Sequence, residues 1–312
     1  MKPSKRIIIR DVTLREGLDV PHVDFSMEQK RRIAGLLEQA KVPEIEVIAP
    51  GKVFEDIPFA KKVKEDGLQI KTSGLVYAFS PRCREEVAEL CGCVTRFDLL
   101  MPLSRERRPY AKDTKRDLLL DLLHYSLQRE TEVGVGFPHS TQGEMEFLLE
   151  MSQESVKKGA KRIVVYDTNG SADPFAIADF IRRLKAELDA PVFFHAHNDL
   201  GLATANSLAA AHAGVDGLDT TVNGLGDRAG NASLEQVVMA LHLKGFSTGV
   251  GLQNLKGLSE AVEEESGVEV SRLAPVVGEY VSMHKSPGHR ESPELFEAFD
   301  PSLVGLQRKI RG

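Results

Sequence analysis

Short apolar runs rich in β-branched residues alternate with longer amphipathic stretches along most of this 312-residue chain. Apolar residues at three-to-four spacing predict helices in the longer stretches, for example at 27–40, 173–188 and 233–244. Repeated strand–helix units require a parallel sheet, and eight of them in about 240 residues fit an α/β fold of the (β/α)8 TIM barrel type. The predicted strands are 6–13, 44–49, 69–77, 96–102, 132–137, 162–168, 191–198 and 217–223.

A doubly wound open sheet is the alternative α/β arrangement. No GxGxxG sequence follows the first strand, and the glycines of NGLGDRAGN (223–231) come after the last strand with the wrong spacing for a dinucleotide loop. We therefore predict that residues 1–248 form the barrel. Residues 249–312 are richer in proline, glycine and charge, and they predict a short helical C-terminal extension rather than an independent domain.

Composition excludes several classes of protein. A chain that is 42% hydrophobic and 28% charged is globular rather than disordered. The net charge of −6 argues against a nucleic-acid partner or an anionic membrane surface. The N-terminus has no apolar segment long enough for a signal peptide, and the three cysteines lack the spacing of a four-ligand metal site. We expect a cytoplasmic protein.

Two histidines lie two residues apart in one of the apolar runs, PVFFHAHND (191–199). Residues i and i+2 of a strand project from the same face, so His195 and His197 would point the same way. Two buried imidazoles are costly unless their nitrogens are used, and a divalent metal is their commonest user. The alternative is a pair of core histidines bonded to backbone carbonyls.

Polar residues concentrate where the predicted strands end, which is where the catalytic groups of a TIM barrel lie. Packing alone does not explain polar residues at one end of otherwise apolar strands. They are Arg15 and Glu16 after the first strand, Glu46 in the second, Asp167 and Thr168 ending the sixth, His195, His197 and Asn198 ending the seventh, and the 223–231 loop after the eighth.

Three motifs carry a resemblance to a known family: TLREG (13–17), HAHNDLGLATANS (195–207) and NGLGDRAGNASLEQVVMAL (223–241). Together they resemble the DRE-TIM metallolyase superfamily, which includes 2-isopropylmalate synthase, homocitrate synthase, citramalate synthase and 3-hydroxy-3-methylglutaryl-CoA lyase. The resemblance to the synthase branch implies an acyltransferase that converts the acyl group into an alkyl group on transfer. Such an enzyme joins acetyl-CoA to a 2-oxo acid by Claisen condensation and releases CoA.

The resemblance also implies a metal centre. Its ligands would be Glu16, His195 and His197, with Asn231 completing the site directly or through water. Most relatives carry aspartate at the position of Glu16, whereas homocitrate synthases carry glutamate. One carboxylate and two neutral imidazoles form a Lewis-acid site that suits Mg²⁺, Mn²⁺ or Zn²⁺.

Further roles follow from the resemblance. Arg15 would stabilise the alkoxide that develops on the keto oxygen, and Thr168 would hydrogen-bond the substrate carboxylate. Glu46 joins Arg15 as a catalytic candidate, and His139 joins Thr168 as a substrate-binding candidate. Two alternatives stay open: Arg15 as a plain ion-pair partner of Glu46 or Asp11, and Thr168 as the cap of the next helix.

The choice between synthase and lyase depends on the loop after the eighth strand. The lyases carry an essential cysteine there, whereas 223–231 contains none. The segment HKSPGHRESPELFEAFDPSLVG (284–305) resembles a synthase subdomain motif and keeps His284, Ser286 and His289 in place. In relatives the second histidine reaches across a dimer, so we expect a homodimer and a general acid/base role for His289. The alternative is an exposed loop histidine.

The chain departs from the family pattern where the substrate would bind. The first motif continues as Gly-Leu-Asp (17–19), without the usual glutamine, and Phe193 occupies a region where homocitrate synthases tend to carry glutamate. Strand 5 reads GVGFPHS (134–140), without the arginine and serine that grip the distal carboxylate of 2-oxoglutarate in homocitrate synthases. We predict that Phe137, Pro138 and His139 line a different pocket, and we therefore doubt 2-oxoglutarate as substrate.

The segment after the fourth strand, SRERRPYAK (104–112), also departs from the family pattern. Its arginines, Arg105, Arg107 and Arg108, would either bring positive charge to the pocket or form a solvated loop. The chain leaves no room for the C-terminal regulatory domain of leucine-pathway synthases, so we expect an enzyme without that form of feedback control. Two rival functions remain: an acyl-CoA lyase, and a catalytically silent barrel retained for binding.

Overall fold

Eight parallel strands close into a barrel in the computed structural model, which describes residues 5–103 and 111–310. The strands follow in chain order around the barrel, and β1 pairs with β8 with Ile8 opposite Gly217. This closure confirms the predicted TIM barrel and excludes the open sheet. The strands are β1 (Ile8–Asp11), β2 (Glu44–Ile48), β3 (Lys71–Tyr77), β4 (Arg96–Leu100), β5 (Glu132–Phe137), β6 (Ile163–Asp167), β7 (Val192–Ala196) and β8 (Gly217–Thr220).

Helices follow the strands and cover the barrel. Local chemistry fixes two of their starts: Ser26 and Gln29 form a reciprocal capping box, and Asp173 accepts bonds from two backbone amides ahead of Pro174. The helices are α1 (Thr13–Glu16), α2 (Met27–Gln39), α3 (Val53–Glu65), α4 (Cys83–Leu90), α5 (Lys112–Leu127), α6 (Met145–Lys158), α7 (Pro174–Glu187), α8 (Ala203–Ala213), α9 (Leu234–Leu243), α10 (Leu255–Ser266) and α11 (Pro287–Glu291).

Strand β5 illustrates how alternation separates two cores. Val133, Val135 and Phe137 are buried in the outer core that the strands share with the helices. Gly134 and Gly136 lie on the opposite face, because an ideal Cβ at either position would collide with side chains inside the barrel. The prediction that Phe137 lines a substrate pocket is therefore wrong, since its ring faces the helices.

Charged side chains fill much of the barrel interior. Arg10 is fully buried and binds Asp219 through two bonds of 2.8 and 2.6 Å, while its third nitrogen lies 2.7 Å from Asp98. Arg162 donates to Asp98 at 2.9 and 2.8 Å and to Glu44 at 2.7 Å. Pairing repays most of the large cost of burying these charges, so the network holds neighbouring strands in one register rather than adding much net stability.

The C-terminal extension begins with α10, which packs against α2 and against the loop after β8. Beyond α10 the backbone forms mainly short elements, among them α11 and a parallel pair of two-residue strands, β9 (Met283–His284) and β10 (Lys309–Ile310). The extension is thus less helical than its composition predicts. Within the described residues, no helix combines the length and the apolar character that a membrane span requires.

Candidate metal centre

A single helical turn carries Arg15 and Glu16 over the end of β1. The Asp11 carboxylate accepts bonds from the backbone amide and the hydroxyl of Thr13, both at 3.0 Å. The amides of Arg15 and Glu16 then donate to the carbonyl of Val12. The predicted first strand therefore ends at Asp11, and the turn places both functional candidates at the mouth of the barrel.

Three predicted metal ligands converge at this mouth. His195 lies inside β7 and His197 lies just beyond its end, where it forms an isolated bridge with Asn231. Nε2 of His197 is 3.6 Å from Oε1 of Glu16. One ligand atom each from Glu16, His195 and His197 lies within 4.8 Å of the others, and all three residues are buried. This arrangement excludes the alternative of two core histidines bonded only to backbone carbonyls.

Both imidazoles are neutral and suitably oriented for a metal. Nδ1 of His195 donates to Asp219 at 3.1 Å, which leaves the lone pair of Nε2 facing the site. Burial lowers the pKa of His195, and burial together with the neighbouring His195 lowers the pKa of His197 to about 2. Burial would raise the pKa of Asp219, but Arg10 and the hydrogen bond from His195 hold it below its ordinary value.

The 223–231 loop supplies Asn231 and needs its glycines to do so. An ideal Cβ at Gly226 would lie 1.9 Å from Oδ1 of Asn231, and one at Gly230 would lie 2.0 Å from the carbonyl oxygen of Gly224. The Asn231 amide nitrogen lies 2.9 Å from Nε2 of His195, while its Oδ1 is buried without a hydrogen-bond partner. An orphaned amide oxygen beside these donors is a further group that a cation would satisfy.

Arg228 fixes the same loop to its neighbours. Its guanidinium donates to Asp199 at 2.7 and 2.9 Å and to the carbonyl of Thr168 at 2.8 Å. The loops after β6, β7 and β8 are therefore tied together around Asn231.

Arg15 lies beside the metal centre in an ion-paired position. Its Nε donates to Oε1 of Glu46 at 2.6 Å, and its Nη1 contacts Glu16. Glu46 also lies 3.0 Å from Arg10, so it joins the mouth of the barrel to the buried network. Of the two ion-pair partners considered for Arg15, the structure shows Glu46, because Asp11 is engaged by Thr13 instead.

Thr168 and His139 lie together at the ends of β6 and β5. The Thr168 hydroxyl accepts a bond of 2.8 Å from the backbone amide of His139, which adopts a left-handed conformation with φ of 61°. The cap of α7 is Asp173, so the alternative role of Thr168 as a helix cap is wrong. The hydroxyl hydrogen of Thr168 stays available for a substrate oxygen.

The remaining sequence candidates lie away from these ligands. His289 is in α11, stacked on Phe296 with ring centroids 3.8 Å apart and 6.0 Å from the ring of His284. Phe193 points into the barrel, where the Arg162 guanidinium lies 4.9 Å from its ring. Arg105, Arg107 and Arg108 fall outside the described residues.

Sequence reasoning missed the residues that support the ligands from inside the barrel. Asp219 and Arg10 orient His195, and Tyr166 lies beside it with ring centroids 4.9 Å apart. Charged residues at alternate positions of otherwise apolar strands, as in EIEVI (44–48) and RFDLL (96–100), were the available signal. Such a pattern indicates a charged barrel interior rather than an apolar one.

The charges at the mouth suit a divalent cation. In the network, four guanidinium groups face four carboxylates: Arg10, Arg15, Arg96 and Arg162 against Glu44, Glu46, Asp98 and Asp219. Glu16 adds a fifth carboxylate, and the two imidazoles beside it are neutral. A cation held by Glu16, His195 and His197 would offset this extra negative charge, so the residues present fit a bound metal.

Comparisons with known proteins agree with this geometry. The model of the HMGL-like family matches residues 6–262. The chain is 34% identical to homocitrate synthase AksA of Methanopyrus kandleri, over 97% of this chain and 78% of that protein. It is 34% identical to 2-isopropylmalate synthase of Methanocaldococcus jannaschii, over 98% of this chain and 60% of that protein.

Solved structures show the same fold at lower identity. Hydroxymethylglutaryl-CoA lyase from Pseudomonas aeruginosa superposes with a TM-score of 0.72 at 19% identity, covering 86% of this chain and 96% of the lyase. The carboxyl transferase domain of Rhizobium etli pyruvate carboxylase gives a TM-score of 0.68 at 18% identity, covering 88% of this chain and 51% of that one. At these identities the likeness supports the barrel alone.

Proposed function

Because the chain belongs to the HMGL-like family and resembles synthases over nearly its whole length, we propose that it condenses acetyl-CoA with a 2-oxo acid. The observation that carries the proposal is the convergence of Glu16, His195 and His197 within 4.8 Å at the barrel mouth. The acetyl methyl group loses a proton, and its carbon forms a bond to the keto carbon. The resulting alkoxide gains a proton, and water hydrolyses the thioester to release CoA.

Glu16, His195 and His197 would hold a divalent metal, with Asn231 as the fourth donor. When bound, such an ion supplies Lewis-acid polarisation of substrate oxygens. The protein's own part is to keep both imidazoles neutral and aimed inward. Asp219 does this for His195 by accepting its Nδ1 proton, and Arg10 holds Asp219 in place.

We assign Arg15 to the keto oxygen of the substrate, where negative charge develops during carbon–carbon bond formation. Glu46 is then a positioning residue, because it holds the Arg15 guanidinium at 2.6 Å and is itself fixed by Arg10. Thr168 would donate its hydroxyl hydrogen to the substrate carboxylate, and His139 supports Thr168 through its backbone amide.

We further propose that His289 transfers protons in the neighbouring barrel of a homodimer. The support is its place in the 284–305 motif and the exposed apolar side chains around it, including Leu295 and Phe296. Replacing His289 with alanine should lower kcat by about 10²-fold or more while metal content stays unchanged, because general acid–base catalysis contributes that much. Steady-state kinetics, metal analysis and light scattering check this, and unchanged kcat would remove His289 from the mechanism.

The lyase function is not favoured. The lyase likeness rests on structures near 20% identity, whereas the synthase likeness reaches 34%. The 223–231 loop contains no cysteine. A silent binding barrel fits the structure less well, because the complete donor set of Glu16, His195 and His197 is in place.

The test is release of free thiol from acetyl-CoA by the metal-loaded full chain across a panel of 2-oxo acids. Thiol release that requires both a 2-oxo acid and the metal supports the condensation. Breakdown of an acyl-CoA without any 2-oxo acid would support the lyase instead. Mg²⁺, Mn²⁺ and Zn²⁺ should each be added to chelated protein to identify the metal that restores activity.

We also propose a cytoplasmic location. All three cysteines are free thiols, which suits a reducing compartment.

A further inference from the structure

Tyr166, the penultimate residue of β6, lies beside the metal centre. Its backbone pairs with that of His195 on β7, and the two ring centroids are 4.9 Å apart. Tyr166 is only 6% exposed, and its hydroxyl oxygen is buried without a hydrogen-bond partner. An unsatisfied buried hydroxyl costs about 1–3 kcal/mol. At the mouth of an active site, such a group indicates a contact that the substrate completes.

The Tyr166 hydroxyl lies over a gap in the barrel wall at Gly136 of β5. An ideal Cβ at Gly136 would lie 3.3 Å from this hydroxyl and 2.6 Å from Cδ2 of Leu100. The surrounding wall is apolar. It consists of Leu75, Leu100, Val164 and Phe193, with Tyr77 and Ile8 packed against them.

The charges that act on the Tyr166 hydroxyl are already balanced. They belong to Arg10, Glu46, Asp98 and Asp219, and Arg10 is ion-paired with all three carboxylates. A second substrate carboxylate placed here would add negative charge without a free guanidinium to offset it, as far as residues 5–103 and 111–310 are concerned. Burying such an uncompensated charge is strongly unfavourable.

The hydroxyl of Tyr166 is a hydrogen-bond donor over the whole working pH range. Burial raises the pKa of Tyr166 well above its ordinary value, so the phenol stays protonated. A protonated phenol that meets apolar walls pairs best with a neutral acceptor oxygen.

We propose that Tyr166 selects the side chain of the 2-oxo acid, and that this side chain is uncharged and carries a hydrogen-bond acceptor. The inference rests on the proposed condensation and deepens it, because it names the class of substrate. Tyr166 would bind the end of the substrate that lies away from the metal, while Arg15 and Thr168 bind the reacting end.

The experiment compares three 2-oxo acids of similar length that differ at the far end. They are 2-oxoglutarate, its 5-methyl ester and 2-oxohexanoate, which carry a charged, a neutral polar and an apolar group. We measure thiol release with acetyl-CoA for kcat and KM, and calorimetric binding of each acid to the metal-loaded full chain without acetyl-CoA. The wild type should prefer the ester over 2-oxoglutarate by about tenfold or more in both measurements.

The variant Y166F keeps the ring and removes only the hydroxyl. It should weaken binding of the ester and raise its KM by about 5- to 30-fold, while 2-oxohexanoate changes by less than about twofold. The matched control is Y125F, on α5 outside the barrel, where Arg84 and Arg129 contact the ring. Y125F should leave all three acids unchanged.

Two results would overturn the proposal. Preference for 2-oxoglutarate would show that a cation, such as an arginine of 104–110, reaches the substrate. Equal effects of Y166F on all three acids would make Tyr166 a structural residue only. The proposed condensation fails separately, if none of the acids releases thiol. In that case the calorimetric ranking still decides the role of Tyr166, and no detectable binding of the ester counts against it.

Discussion

The deep interior of the barrel and its mouth both bury polar groups, but they differ in how completely those groups are bonded. In the interior, Arg10 and Arg162 each donate to two carboxylates at 2.6–2.9 Å. At the mouth, Oδ1 of Asn231 and the hydroxyl of Tyr166 are buried without a hydrogen-bond partner. The interior is saturated, whereas the mouth keeps unused bonding capacity.

This difference separates structural from functional polarity. A saturated network has nothing left to offer a ligand, and its geometry fixes the strands and the side chains above it. Unsatisfied groups lower stability and are retained where a ligand completes them. Asp219 joins the two regions, because it accepts from Arg10 below and from His195 above. Each prediction that follows disturbs one region and measures the effect on the other.

The largest effect is expected from replacing His197 with alanine. His197 lies 3.6 Å from Glu16 and supplies one of three donor groups, so its loss should remove metal binding and lower turnover far more than the 10–100-fold typical of a supporting residue. Metal content per chain and thiol release measure this. H242A, at an exposed histidine of α9, is the control. Normal metal content in H197A would contradict the site.

Next in size is the replacement of Arg10 with methionine. It leaves Asp98, Asp219 and Glu46 buried without their guanidinium, so the free energy of unfolding should fall by about 3–5 kcal/mol. Urea denaturation measures the loss. R84M removes an exposed ion pair with Asp121 and should change little. Equal stability of the two variants would show that the interior network is not structural.

A smaller, pH-dependent effect is expected at Asp11, a buried carboxyl group without a guanidinium partner among its hydrogen bonds. Burial raises the pKa of Asp11 from its ordinary 3.8 to about 7. The folded chain therefore keeps a proton that the unfolded chain releases, and this stability is present below pH 3.8 and lost as the pH rises to about 7. The wild type should lose about 2–4 kcal/mol more than D11N over this range.

Denaturation midpoints at pH 4.5 and pH 7.5 test the Asp11 prediction, with D24N at an exposed aspartate as control. D24N should follow the wild type. Parallel curves for D11N and wild type would mean that Asp11 is ionised in the folded chain, and that the saturated interior extends further towards the mouth than the hydrogen bonds indicate.

Local patterns predicted the elements well and their ends less well. All eight strands formed where apolar runs predicted them, because each run is short, β-branched and bounded by turn residues. The first strand ended two residues early, since Asp11 bonds to Thr13 and starts a helical turn. The cap of α7 is Asp173 rather than Thr168, a choice that depends on where the backbone turns after β6.

The candidate metal centre was also within reach of the sequence. His195 and His197 are two apart on one run, and Glu16 follows another, so the end-of-strand rule predicted their meeting. The roles of Arg15, Thr168, His139, Asn231 and His289 stay predictions. The pocket wall was predicted wrongly at Phe137, which faces the helices.

The sequence alone determined the barrel, the order of its strands and the residues at their ends, because these follow from local periodicity and chain direction. The tertiary structure alone decided which face of each strand turns inward and which side chains meet there. Alternation defines two faces of a strand but does not say which one the closed sheet encloses. That closure put Gly136 under the Tyr166 hydroxyl and Asp219 between Arg10 and His195, across strands far apart in sequence.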